Sequence, residues 1–132
     1  TNDLTNADTL MKIIGDPLSL IIDAREHKRF LGLEEPIDRI AGHIPTAINR
    51  PFQSNLAGGR FKPAMILRQE FTDLIGSTPP NQVVHSCGSG VTACHNLLAM
   101  EIAGLHGSRL YAGSWSEWIT DPTRPISSLG SS

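Results

Sequence analysis

The stretch Val83-Val84-His85-Ser86-Cys87-Gly88-Ser89-Gly90-Val91-Thr92-Ala93 limits what this chain can fold into more than any other. Two β-branched apolar residues open it, as they would a buried strand. Cys87 follows among small residues and glycines, and from Val91 helical spacing takes over as far as Ala103. A strand, a short glycine-containing loop and a helix start make an anion-binding geometry. The glycines let main-chain N–H groups turn inward, and the helix N-terminus adds partial positive charge. A thiol at that point ionises easily. The competing reading is a tight turn with Cys87 as a small buried hydrophobe. If the thiol works, its sulfur is expected to face a cleft, with loop N–H groups converging on it.

Size and charge narrow the classes. At 132 residues the chain is one domain, large enough to bury a real core. Net charge is −2, and no basic patch calls for nucleic acid. No apolar run approaches the roughly 20 residues of a membrane span, and no signal-peptide pattern is visible. Cys87 and Cys94 lie seven apart on one loop–helix unit, too close for a useful staple and too few for a zinc site. This usage suits a reducing, cytoplasmic setting. The chain opens on Thr1 rather than Met and is expected to be a piece of a longer protein.

Residues 1–8 read as a polar lead-in, 9–120 as the domain and 121–132, rich in Pro, Ser and Gly, as a flexible tail. Asn6 or Asp8 caps a first helix with Leu10, Ile13 and Ile14 on its apolar face. Ser19 to Asp23 is a short buried strand, Glu26 to Phe30 about one helical turn, and Ala47-Ile48 a very short strand. Residues 50–63 read as loop, and Met65 to Ile75 as a helix burying Leu67, Phe71, Leu74 and Ile75. Strand Gln82 to Ser86 leads to the helix whose inner face is expected to carry Cys94, Leu98 and Ile102. Ser108 to Tyr111 is a last strand, and a short helix opens at Gly113. The alternation predicts an α/β domain of three layers, a mainly parallel central sheet flanked by helices. Sites in such sheets lie at the carboxyl ends of strands, where Cys87 stands.

Five segments, in order, resemble the rhodanese domain: Asp23-Ala24-Arg25, Arg29-Phe30, Gly42-His43-Ile44-Pro45, Cys87 to Ala93, and Gly113-Ser114-Trp115-Ser116-Glu117-Trp118. The Cys87 loop is similar to that of 3-mercaptopyruvate sulfurtransferases; thiosulfate sulfurtransferases carry a charged pair where Gly88 and Ser89 stand. The resemblance implies a rhodanese-like fold and sulfur transfer through a Cys87 persulfide, with no cofactor and no metal. The sulfur comes from a small-molecule donor and goes to cyanide or a thiol acceptor such as a thioredoxin-type protein. Enzymes of this kind carry two such domains, and the chain resembles the second. A missing N-terminal rhodanese domain is therefore an implied partner. Thr46 stands where the family commonly has Gly, and Ala112 where it often has Asp; both read as local packing changes.

The implied site is Cys87 as nucleophile. Main-chain N–H groups from Gly88 through Gly90 and Val91 to Thr92 hold the anionic sulfur. Ser89 and Thr92 hydroxyls bond it or relay a proton. Arg29 binds the donor carboxylate in a bidentate way. The family's second arginine follows a Glu-Pro pair; here Ile37 follows Glu35-Pro36, and Arg39, slightly displaced, is its candidate replacement. His43, His85, Trp115, Trp118 and Asp23 read as structural, Cys94 as an inert buried thiol, and His95 as carrying no role. A Cys-dependent phosphatase needs a Cys-x5-Arg arrangement, and Ala93 stands where that Arg would be. Thiosulfate transfer, and a persulfide-carrying module of low turnover, remain the alternatives.

Overall fold

The computed structural model describes residues 4–36, 38, 40–88 and 91–127. Its centre is a five-stranded sheet of β1 (Leu4–Thr5), β2 (Leu20–Asp23), β3 (Ile48–Asn49), β6 (Val83–Ser86) and β7 (Arg109–Tyr111), in the spatial order β1-β7-β6-β2-β3. Every pairing in it is parallel. The β2–β6 register sets Leu20 against Val83 and Ile22 against His85.

Because side chains alternate across a strand, the two faces of the sheet hold different cores. Ile21, Val84 and Tyr111 meet α1 (Ala7–Ile13), α2 (His27–Phe30) and α5 (Ser114–Trp118) through Leu10, Phe30, Trp115 and Trp118. Ile22 and Val83 meet α3 (Ala64–Ile75) and α4 (Val91–Ile102) through Leu67, Phe71, Ala99 and Met100. These are the expected three layers. The chain steps outward from β2 to β3, returns to β6 on the other side of β2, and leaves in the opposite direction to β7. The strand order therefore reverses between β2 and β6, the topological position at whose carboxyl ends sites form in sheets of this kind.

Local chemistry explains most boundaries. Asn6 caps α1, its side chain accepting from the Thr9 N–H. Leu67, Phe71 and Ile75 are buried along α3, which ends at Gly76.

Four differences from expectation have physical causes. Leu4–Thr5, inside the expected lead-in, forms an edge strand on β7; two residues are too few to show a period. The expected loop 50–63 contains a 3-10 turn, Phe52–Asn55, and an antiparallel hairpin of β4 (Leu56–Ala57) and β5 (Arg60–Phe61). Gly58 and Gly59 turn it at φ +60° and +78°, as a tight hairpin requires. The stretch read as the start of the flexible tail is fastened: Trp118 Nε1 donates to the Pro125 carbonyl, and Ser127 bridges His43 in antiparallel fashion. Finally, α4 is rotated from its expected phase. Ala93, Asn96, Ala99, Met100 and Ala103 are buried, whereas Leu98 is 49% exposed and Ile102 39%. Cys94, expected to be buried, is exposed. Small side chains let the helix lie close to the sheet, so the bulkiest apolar stripe is not the inner one.

Candidate active site

Cys87 continues the line of β6 beyond Ser86, at the carboxyl end of the strand where the order reverses, and α4 begins four residues later. It lies on the face of the sheet that α4 covers, two positions beyond His85, packed with Ala24 and Ala93 and against Phe52 and Leu110. Only 1% of the residue is exposed. The side chain expected to face the cleft is thus enclosed by that wall. Gly88 and the first turn of α4, with Thr92 half-buried, are described. Ser89, Gly90 and Arg39 lie outside the described residues, as does the side chain of Val91.

The start of the loop is fixed by α5. The Cys87 carbonyl accepts from the Trp115 N–H at 2.8 Å and the Gly88 carbonyl from the Ser116 N–H at 2.9 Å. The Cys87 N–H is itself engaged, donating to Ser114 Oγ at 3.0 Å. Ser114 Oγ donates in turn to the Tyr111 carbonyl at 2.8 Å and stands 3.9 Å from Cys87 Sγ. Ser114 holds this place with φ +52°, a left-handed backbone unusual for a residue with a Cβ. A residue in strained geometry whose hydroxyl braces the cysteine is one that sequence reasoning passed over, although it lay inside a quoted motif.

On the α2 side runs a chain of charges. Asp23, at the end of β2, grips Arg25 through both carboxylate oxygens, with Arg25 Nη2 at 2.8 Å from Oδ2. Arg25 also donates to the Gly42 carbonyl at 2.6 Å and lies over the Trp115 ring at 5.0 Å. Glu35 stands 3.5 Å from Arg25 Nη1 and 3.0 Å from Arg29 Nη2. Asp38 reaches Arg29 Nη2 at 3.5 Å and accepts from Ser116 Oγ at 2.9 Å. Arg29 borders the loop closely: a Cβ on Gly88 would stand 3.2 Å from Arg29 Nη2, so glycine is what lets the two approach. The structure thus brings Arg29 to the loop with internal carboxylates already on it. Glu35 was visible only as a member of the Glu35-Pro36 pair, and Asp38 carries no spacing signal that would have singled it out.

On the α4 side the network is built of amides. Asn55 Nδ2 donates to Asn96 Oδ1 at 2.6 Å and to His95 Nδ1 at 3.1 Å, and its Oδ1 accepts from Arg50 Nε. Asn96 Nδ2 donates to the Arg50 carbonyl. Arg50 pairs with Glu70 at 2.8 Å and lies over the Phe71 ring. His95, between Phe52 and Phe61, has its pKa lowered by burial. It belongs to this network rather than standing idle.

The residues read as structural are so placed. His43 Nδ1 donates to the Phe30 carbonyl at 2.7 Å, its ring stacked on Phe30. Trp115 and Trp118 are buried. His85 is fully buried between Ile22 and Leu110, and burial pulls its pKa down to about 3. Thr46 is not a packing change. It is exposed, at φ +68°, in the turn closed by the Ala47 N–H on the Ile44 carbonyl at 3.1 Å. Pro45 followed by a left-handed residue is a type II turn, which selects Gly there. Among the described residues no group of three His, Cys, Asp or Glu side chains could hold a metal ion, and no helix is long and apolar enough to cross a membrane.

The family model described as Rhodanese-like domain matches residues 6–121. The chain is 52% identical over 124 residues to the "Probable 3-mercaptopyruvate sulfurtransferase" of Pseudomonas aeruginosa, a match covering 93% of this chain and 44% of that protein. It is 34% identical over 118 residues to the thiosulfate sulfurtransferase of Gallus gallus, covering 88% and 40%. Among solved structures, 3-mercaptopyruvate sulfurtransferase from Leishmania major superposes with a TM-score of 0.75 at 32% identity, covering 93% of this chain and 34% of that one. The chain thus spans less than half the length of these relatives.

Proposed function

Because the chain belongs to the rhodanese-like domain family, we propose that it is a sulfurtransferase domain moving sulfur from 3-mercaptopyruvate through a persulfide on Cys87. The observation that carries this reading is the position of Cys87, at the reversal of strand order and ahead of the N-terminus of α4, with the Arg29 guanidinium against Gly88.

In the proposed reaction the Cys87 thiolate attacks the thiol sulfur of the donor. The S–S bond forms as the donor C–S bond breaks. The bonding pair of that C–S bond leaves with carbon as pyruvate enolate, which takes up a proton to give pyruvate. Cys87 is left as the persulfide Cys–S–SH. An acceptor thiolate or cyanide then attacks the outer sulfur and returns Cys87 as thiolate, the persulfide's proton leaving to solvent or to the product. Arg29 orients the donor carboxylate, and the α4 N-terminus favours negative charge on sulfur. Ser89, Gly90, Thr92 and Arg39 keep their expected roles. Thiosulfate is a dianion that favours cationic loop side chains; the neutral Gly88-Ser89 pair suits the monoanionic donor better. A thioredoxin-type thiol protein is the proposed acceptor, and a second rhodanese domain the proposed companion.

Wild type and Cys87→Ser, exposed to each donor, test this. Wild type is expected to gain the mass of one sulfur atom, the variant none, with kcat/KM higher for 3-mercaptopyruvate than for thiosulfate. The opposite donor order makes thiosulfate the substrate. A second reading, a persulfide carrier of low turnover, is favoured by the 1% exposure of Cys87. It predicts sulfur loading on mixing but slow steady-state turnover.

A further inference from the structure

We infer that Asp38 is a specificity-determining residue: as an internal anion on Arg29 it makes the site discriminate against dianionic sulfur donors. This deepens the proposed function and rests on it. The guanidinium that would take the donor carboxylate is already shared between Glu35 at 3.0 Å and Asp38 at 3.5 Å. The two contacts differ in kind. Glu35 is also tied to Arg25 and accepts from the Asp38 N–H at 2.9 Å, so it belongs to the interior of the network. Asp38 makes the longer and more peripheral contact, and its other oxygen is held by Ser116 Oγ at 2.9 Å. Ser116 also holds the Gly88 carbonyl through its N–H. Asp38, Arg29 and the Cys87 loop are therefore joined within a few bonds, and Asp38 is the contact a donor carboxylate displaces most readily.

Charge then decides which donor profits. A monoanion that replaces Asp38 on Arg29 meets one residual repulsion from it. A dianion meets twice that, because Coulomb energy scales with the ligand charge. Removing the Asp38 charge should therefore change affinity for a dianion by the square of its effect on a monoanion.

Steady-state kinetics of Asp38→Asn, with cyanide as acceptor, read this directly. For a partly buried pair at this separation we expect KM for 3-mercaptopyruvate to fall about threefold and KM for thiosulfate about tenfold. Asp38→Glu keeps the charge and should keep the wild-type ratio of the two KM values. Ser116→Ala, which leaves both the Asp38 charge and the main-chain bond to Gly88 in place, should likewise leave the ratio close to wild type. Equal changes for both donors, no change, or a ratio altered as much by Asp38→Glu as by Asp38→Asn overturn the inference while Cys87 still loads sulfur. If Cys87 gains no sulfur from either donor in wild type or any variant, the proposed function fails and this inference with it.

Discussion

The segment around Cys87 is held from two sides by opposite means. Toward α2 and α5 the hold is ionic, a relay from Asp23 through Arg25, Glu35 and Arg29 to Asp38 that ends on Ser116. Toward α4 it is amide on amide, with Asn55 and Asn96 tying the turn that carries Phe52 to the inner face of the helix. Charges can be exchanged for those of a ligand, so the ionic side is where an anion can enter. Neutral amides offer an incoming anion nothing to exchange, so the other side keeps its geometry whatever binds. One side of the site adapts and the other sets its shape.

The contrast can be broken at its deepest points. Asp23→Asn takes from buried Arg25 the carboxylate it grips most closely, leaving Glu35 at 3.5 Å, and should destabilise the fold by about 3 kcal/mol in urea or thermal unfolding. Asn55→Ala strips partners from Asn96 and Arg50 and should cost about 2 kcal/mol. The loss should be the same in low and high salt, because no ion pair is broken. A salt-dependent Asn55→Ala, or an Asp23→Asn milder than it, would erase the distinction. Acid sharpens it further. His85 titrates at about 3 when folded, because burial disfavours its charged form, against 6.5 when unfolded. Below 6.5 the unfolded chain takes up a proton that the folded one does not. Stability is therefore full above pH 6.5 and drains as pH falls toward 3, by about 1.4 kcal/mol per pH unit. His85→Leu should remove that slope. The smallest effect lies outside both networks. Thr46→Gly relieves a left-handed backbone at an exposed position and should raise stability by about 1 kcal/mol, with donor kinetics unchanged.

The two networks also differ in how far sequence could reveal them. The β2 and β6 strands announce themselves as short apolar runs, and the order of elements follows from them. Arg29 was legible through its neighbours Asp23-Ala24-Arg25 and Phe30. Asn55 and Asn96 were not, because a neutral polar residue shows its burial only once a partner 41 positions away has been brought alongside. Asp38 and Ser116, 78 positions apart, met the same obstacle. The phase of α4 is hidden for another reason: apolar size does not mark its inner face, where Ala93 and Ala99 are buried while Leu98 and Ile102 are exposed. The turn at Thr46 was readable in principle, since Pro45 fixes the preceding torsion, but only its conformation shows that a departure from Gly there is strain rather than packing.

The outward turn of Cys94 matters at the bench. Of the two thiols, the one on the helix surface meets solvent first, so bulk alkylation, mixed-disulfide formation or air oxidation will register it ahead of Cys87. A sulfhydryl titre for the whole chain would then report the bystander. Stoichiometry at Cys87 is best counted in a Cys94→Ser background, where every equivalent of reagent consumed has only one possible owner.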